Sequence, residues 1–166
     1  MPTRQGINDD FKDMQKLIIT NNNDAHTGKT TALRGVYELL KEKGHEPQNL
    51  AGPGNGPNYD VKAIFTINGI KVGIETIGDN KSCDVHHESL DDFLHEDCKI
   101  IITASRLRGA TRTNVREFYR NNGFVSVWMK HDYTQNVKLQ PILNRRYAER
   151  VVRFVEEWLC GAYQPC

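Results

Sequence analysis

Eight residues near the start of the chain combine side chains that suit phosphate binding. The segment reads Asn23-Asp24-Ala25-His26-Thr27-Gly28-Lys29-Thr30. Gly28 would let the backbone approach a ligand closely, because any Cβ there would intrude. Loop amides and a helix N-terminus surround phosphate oxygens where such a segment joins a strand to a helix. The segment therefore predicts a phosphate-binding loop, provided that these two elements flank it.

The flanking sequence predicts both elements. Lys16 to Thr20 is a short apolar run with β-branched residues, closed by polar residues, and it is typical of a buried strand. After the loop the period changes to that of an amphipathic helix ending near Gly44. Its apolar stripe, at i, i+3, i+4 and i+7, consists of Leu33, Val36, Tyr37 and Leu40.

This strand, loop and helix resemble the Walker A region of the P-loop nucleoside triphosphatases (NTPases), and the chain is similar to small bacterial P-loop proteins. The consensus is Gly-x-x-x-x-Gly-Lys-Ser/Thr, and Asn23 stands here in place of the first glycine. Asparagine tolerates left-handed backbone conformations better than most non-glycine residues. We therefore expect Asn23 to preserve the loop geometry by adopting a left-handed conformation.

The resemblance implies a role for each loop residue. Lys29 would contact the β and γ phosphates, and Thr30 would bind Mg²⁺ through its hydroxyl, with Thr31 as a substitute ligand or helix cap. The segment from Asn23 to Gly28 would surround the phosphates, although Asp24 and His26 also fit as simple exposed loop residues. The chain has no Asn-Lys-x-Asp motif of GTP-specific proteins, so ATP is favoured over GTP.

Candidate partners for the metal and the phosphates follow two later strands. P-loop enzymes commonly hold Mg²⁺ through a carboxylate at a strand end. Glu75 ends an apolar run, but we favour Asp79 as the metal and catalytic ligand, because it lies in the loop beyond the strand where ligands gather. Arg106 follows the apolar run Ile100 to Ile102 and could clamp a phosphate. An ordinary turn at Asp79 and a solvated loop at Arg106 are the alternatives.

Two Cys/His pairs have spacings found in zinc sites. They are Cys83-x-x-His86 and His95-x-x-Cys98. The sequence between the pairs contains an apparent helical turn, and Cys98 precedes a buried strand, where a thiol packs as a small apolar group. We therefore do not expect zinc.

Strands and helices alternate along most of the chain, which predicts an α/β fold. We expect residues 1–166 to form a single P-loop NTPase-like domain, a three-layer α/β/α sandwich around a mainly parallel sheet. One antiparallel β-hairpin is expected at Asn68-Gly69, a residue pair that favours a two-residue turn. The glycine- and proline-rich segment Asn49 to Asn58 is expected to be an irregular loop. Arg145, Arg146 and Arg150 are expected to form an exposed face of the last helix.

Composition restricts the partners. The net charge is +1, which offers no general basic excess, so nucleic acid is not an expected partner. No apolar run approaches the roughly 20 residues needed to span a membrane, and the first residues do not resemble a signal peptide. We expect a cytoplasmic protein that does not act in a membrane.

These observations predict a protein that binds a nucleoside triphosphate, ATP in preference, together with Mg²⁺. The first hypothesis is an NTP hydrolase, or a kinase-like phosphotransferase with a small-molecule or nucleotide acceptor. The alternative is a nucleotide-sensing protein with little or no turnover, which the variant loop and the ambiguous acidic partner favour.

Overall fold

The computed structural model describes residues 14–24, 27–51, 60–77 and 83–163. Over these residues the chain forms one sheet and four helices. In chain order the elements are β1 (Lys16–Asn22), α1 (Lys29–Glu42), β2 (Pro47–Ala51), β3 (Lys62–Ile67), β4 (Ile70–Glu75), α2 (Cys83–His95), β5 (Ile100–Ser105), α3 (Ala110–Asn122), β6 (Phe124–Trp128) and α4 (Gln140–Tyr163).

The sheet has six strands in the order β2-β3-β4-β5-β1-β6. β1 pairs in parallel with β5 on one side and with β6 on the other, and β4 pairs in parallel with β5. β3 is antiparallel to both of its neighbours, β2 and β4. The predicted α/β fold with a mainly parallel sheet is confirmed, and β1 lies inside the sheet.

Apolar side chains pack on both faces of this sheet. Leu17 and Ile19 of β1 belong to a buried cluster with residues of α1 and α4. Ile18, between them, belongs to a second cluster with residues of α2 and α3. Successive side chains of a strand point to opposite faces, so the two clusters lie on opposite sides of the sheet. Burial on both faces explains why β1 and β5 are continuous apolar runs.

The predicted hairpin is confirmed. Ile67 of β3 pairs with Ile70 of β4, and the two residues between them form the turn. Asn68 has a φ of 53° and Gly69 a φ of 83°. Positive φ at both central residues is the geometry that this residue pair tolerates best.

The structure corrects three predicted boundaries. The segment from Asn49 to Ala51 belongs to β2 and is not an irregular loop, whereas residues 52–59 lie outside the described residues. β2 is an edge strand, so polar residues can occupy it without being buried on both faces. The Tyr37 hydroxyl donates to the Asn49 side-chain oxygen over 2.8 Å.

Two helices are longer than the apolar pattern predicts. Leu90, Phe93 and Leu94 predict only a short helix, but α2 begins at Cys83. The last helix is predicted over roughly Asn144 to Leu159, but α4 extends from Gln140 to Tyr163.

Gly73 of β4 lies where the sheet packs against α2. A Cβ at this position would lie 2.6 to 2.9 Å from three ring atoms of Phe93. We predict that Gly73→Ala lowers the free energy of unfolding by about 1–3 kcal/mol, because the buried ring must move in a packed core. Urea denaturation measures the change.

Gly161→Ala is the matched control, because a Cβ at Gly161 meets no atom within 4 Å. Alanine favours a helix over glycine, so the control is expected to keep or slightly raise the stability. Wild-type stability for Gly73→Ala would contradict the described contact between β4 and α2.

Candidate phosphate-binding site

The N-terminus of α1 has the features of an anion site. Gly28 occupies the position before the helix with φ 79° and ψ 32°, a left-handed conformation that suits glycine. The first turn of α1 contains no acidic residue. A helix N-terminus carries partial positive charge and unpaired amides, so this end of α1 favours a negatively charged ligand.

Lys29 lies across the loop that precedes the helix. Its Nζ donates to the backbone oxygen of Asn23 over 3.2 Å and to that of Asp24 over 2.9 Å. The Thr27 hydroxyl donates to the same Asp24 oxygen over 2.7 Å. The lysine charge is therefore held beside the helix N-terminus, in the half-buried zone where a phosphate would lie.

The predicted loop residues differ in exposure. Asn23, Thr27, Lys29 and Thr30 are half-buried, whereas Asp24, Gly28 and Thr31 are exposed. Exposure of Asp24 keeps its carboxylate in water and away from the core. Ala25 and His26 lie outside the described residues.

A residue far along the chain, His131, joins the loop to the segment after β6. The Asn23 side chain donates to the His131 carbonyl over 3.1 Å and accepts from the His131 amide over 3.3 Å. Ring atom Nε2 of His131 lies 2.7 Å from the Thr27 carbonyl, and Nδ1 lies 2.9 Å from the side-chain nitrogen of Asn21. These bonds fix both ends of the loop.

The bonds of His131 also define its protonation state. A carbonyl can only accept, so Nε2 carries a proton and donates to Thr27, which leaves Nδ1 to accept from Asn21. Burial lowers the pKa of this histidine, and the nearby charge of Lys29 lowers it further. The neutral imidazole therefore fits both the hydrogen bonds and the burial, and the positive charge of the site stays on Lys29.

The expected conformation of Asn23 is wrong. Among the described non-glycine residues, positive φ occurs at Asn68 and Asp97, so Asn23 is not left-handed. Its side chain instead makes two hydrogen bonds to the backbone of His131. A glycine could not make these bonds, which gives asparagine a structural role at this position.

Sequence reasoning missed His131. The residue follows β6 by three positions, and β6 runs parallel to β1. Parallel strands end at one edge of a sheet, where ligands gather. A polar residue just beyond the last predicted strand was the available signal, but its relevance depends on β6 lying beside β1.

Arg106 is placed at the same edge as the loop. β5 is a direct neighbour of β1, and Asn22 pairs with Ser105, the residue before Arg106. The backbone amide of Arg106 donates to the Thr111 hydroxyl over 3.1 Å, which fixes the chain between β5 and α3. Asp79, the favoured metal ligand, lies outside the described residues.

Glu75 is separated from the loop by one strand, because β5 lies between β4 and β1. It is fully buried beneath α2 and accepts from the Thr103 hydroxyl over 2.7 Å. The Nε2 atom of His86 lies 3.1 Å from the Thr103 oxygen and 3.4 Å from the Glu75 carboxyl. Glu75, Thr103 and His86 therefore form a buried polar group in the core. The strand beside β1, β5, ends at Ser105 and supplies no carboxylate.

Burial raises the pKa of Glu75 to about 8, although hydrogen bonds from Thr103 and Ser89 oppose the rise. Burial also lowers the pKa of His86 to about 4. Both groups are therefore neutral near pH 7. A protonated carboxyl is a poor ligand for a hard cation such as Mg²⁺, so Glu75 is a weaker candidate than its position at a strand end indicated.

Three residues of the Cys/His pairs, His86, His95 and Cys98, lie in different surroundings. His86 is buried beside Thr103 and Glu75, Cys98 is a buried free thiol, and His95 is exposed. The part of the chain that the structure describes contains no group of three or more His, Cys, Asp or Glu side chains arranged to hold a metal ion. Its helices also include none with the length and apolar character needed to cross a membrane.

Comparison with known proteins gives little information about this site. No family model and no curated protein matches the chain. A similar solved structure is described as "Crystal structure of APE1195". It is 11% identical, the alignment covers 92% of this chain and 79% of that chain, and the TM-score is 0.40.

Glu75 makes the stability of the protein depend on pH. An unfolded chain loses the carboxyl proton near pH 4.5, whereas the folded protein keeps it up to about pH 8. The contribution is fully present below pH 4.5 and is lost as the pH rises toward 8, at about 1.4 kcal/mol per pH unit. We predict that wild type loses about 2–3 kcal/mol more than Glu75→Gln between pH 5.5 and 7.5 in urea denaturation.

Comparing the two proteins cancels the contributions of the histidines, which both share. Glu96→Gln, which alters an exposed carboxylate paired with Lys71, is the control and is expected to follow the wild-type pH dependence. If the free energy of unfolding depends on pH equally in wild type and Glu75→Gln, the buried carboxyl is not protonated as inferred.

Proposed function

We propose that this protein binds a nucleoside triphosphate, ATP in preference, with Mg²⁺ at the loop from Asn23 to Thr31. On this proposal the fold is a three-layer α/β/α sandwich of the P-loop NTPase type, and the activity is NTP hydrolysis or phosphoryl transfer to a small-molecule or nucleotide acceptor. The observation that carries the proposal is the position of Lys29. Its Nζ lies over the Asn23 and Asp24 carbonyls at the positive end of α1.

The chemistry follows from replacing those carbonyls with phosphate oxygens. A lysine that bonds two neutral carbonyls gains a stronger, charge-assisted bond when a phosphate enters. The left-handed Gly28 leaves room for the ligand, since nothing lies within 4 Å of the place its Cβ would occupy. Phosphate binding therefore exchanges weak acceptors for strong ones without rebuilding α1.

The remaining roles are assigned from the sequence motif and, for Arg106, from its position at the sheet edge. Thr30, in the first turn of α1, is proposed as a Mg²⁺ ligand together with Asp79. Arg106, beyond the neighbouring strand β5, is proposed to stabilise the charge that develops on the transferred phosphoryl group. Lys29, Asp79 and Arg106 are thus the proposed catalytic residues.

The second candidate function is nucleotide sensing with little or no turnover. One structural observation favours it: the strand beside β1 ends in Ser105 and supplies no carboxylate. Glu75 does not replace that carboxylate, because it is buried one strand farther away with its proton retained. A site that binds phosphate well but holds Mg²⁺ weakly would bind nucleotide and hydrolyse it slowly.

Isothermal titration calorimetry with ATP and Mg²⁺ tests the shared premise. We predict that Lys29→Ala weakens ATP binding by roughly 10- to 100-fold, the value of one hydrogen bond to a charged group. Lys41→Ala is the matched control, because Lys41 is an exposed lysine at the other end of the same helix. Equal affinity for ATP in wild type and Lys29→Ala would contradict the proposal that this loop binds phosphate.

Phosphate release distinguishes the two functions. For a hydrolase we predict steady release from ATP by wild type, reduced roughly 100-fold or more in Arg106→Ala, because a donor that stabilises transition-state charge is lost. Asp79→Ala is expected to lower release and to remove its dependence on Mg²⁺ concentration. Nucleotide binding without release above the buffer rate, with candidate acceptors present, would instead support the sensing function.

A further inference from the structure

A second cationic feature lies between α1 and α4, away from the loop. The two helices border a groove of about 620 Å³ whose lining includes the aliphatic side chains of Leu39 and Val152. Two carboxylates also line it, Glu149 and Glu156. Cationic side chains are the majority of the lining: Lys43, Arg145, Arg146, Arg150 and Arg153.

Two of these five cations are already neutralised. Lys43 forms an ion pair with Glu156. Arg145 pairs with Glu42 over 2.9 Å and with Glu149 over 3.0 Å. The carboxylates of the groove are therefore engaged by Lys43 and Arg145, and neither forms an ion pair with the other three arginines.

Arg146, Arg150 and Arg153 have no carboxylate of the described residues within ion-pair distance. Arg150 donates to the Lys130 carbonyl and lies over the ring of Tyr147, and neither contact cancels its charge. All three side chains are exposed. A chain with a net charge of only +1 thus concentrates uncompensated positive charge in one groove.

The three arginines also lie on one face of α4. Their positions are i, i+4 and i+7, which places them on one stripe about 10 Å long. Like charges at these spacings repel and destabilise a helix unless a counter-ion binds. Glu149 and Glu156, four residues before and three after Arg153, offset part of this repulsion. An anion in the groove would reduce the rest.

We propose that the groove between α1 and α4 is a binding site for a small anion with two or more phosphoryl groups. Arginine is the side chain best suited to this ligand, because its planar guanidinium bonds two phosphate oxygens at once. The volume is within the range of small-molecule sites, roughly 300–1,000 Å³. The length of the stripe allows two or three adjacent phosphoryl groups to be bonded together.

The lining favours a small anion over a nucleic acid. Non-specific single-strand binding uses aromatic rings on which bases stack, and the residues that line this groove have aliphatic and charged side chains. Duplex binding requires a broad basic surface, which the near-neutral composition does not provide.

The end of the groove at Leu39 and Lys43 lies far from the phosphate loop. Lys29 is at the beginning of α1, whereas Leu39 and Lys43 are at its end, which separates them along the helix axis by roughly 15–21 Å. A small ligand cannot contact both places at once. The groove is therefore proposed on its own evidence and does not depend on the function proposed for the loop.

Calorimetry with inorganic tripolyphosphate tests the proposal. The titrations use Lys29→Ala as the parent, so that the phosphate loop contributes little to the measured binding. Adding Arg146→Ala and Arg153→Ala is expected to weaken binding at least tenfold, while the unfolding midpoint stays near that of the parent. Adding Arg116→Ala and Arg120→Ala, two exposed arginines of α3, is the matched control and is expected to leave the affinity unchanged.

Three results would overturn the proposal. The first is absence of tripolyphosphate binding by the Lys29→Ala parent. The second is an equal loss of affinity in both double arginine variants, which would indicate general electrostatic attraction. The third is tighter binding, through Arg146 and Arg153, of a single-stranded oligonucleotide with the same number of phosphates, which would make the groove a nucleic-acid site.

Discussion

β1 pairs in parallel with β5 and with β6, and the position of the candidate site depends on this double pairing. Because all three strands run in the same direction, their carboxyl ends meet at one edge of the sheet. The loop from Asn23 to Thr30 follows β1, Arg106 follows β5, and His131 follows β6 by three residues. Three segments distant in sequence thereby become neighbours. An antiparallel partner on either side of β1 would have put its following segment at the opposite edge.

At this edge the buried surface changes from apolar to polar, and each polar group there requires a partner. Two networks of different character provide partners for many of these groups, whereas Asn21 Oδ1 and Glu75 Oε2 have no hydrogen-bond partner within the described part of the chain. Around the loop, the neutral His131 bonds Asn21, Asn23 and Thr27, while Lys29 supplies positive charge. Beneath α2, Glu75 and His86 share Thr103 and are both neutral near pH 7. Charge is thus retained where an anion can reach it and is suppressed in the core.

Much of the fold was predictable from local sequence. Apolar runs identified β1 and β5, a helical stripe identified α1, and Asn68-Gly69 identified the hairpin, because each pattern reflects burial or turn geometry within a few residues. β2 was missed, since an edge strand can be polar and Pro47 to Asn49 reads as loop. The roles of Asn23 and His131 were missed because they depend on which strands are neighbours. The burial of Glu75 was missed for the same reason. The sequence indicated its place at a strand end but not that α2 covers it.

The bonds between Asn23 and His131 join residues separated by 108 positions, and this separation has a consequence for how the protein acquires its site. Contacts so distant in sequence carry a loop-closure cost, which slows folding. During synthesis the loop emerges early, whereas His131 emerges 108 residues after Asn23. A nascent or truncated chain ending before β6 carries the complete Asn23-to-Thr30 segment but lacks the bonds that shape it. The motif is local in sequence, yet the hydrogen bonds that shape the loop require residues as far along the chain as His131.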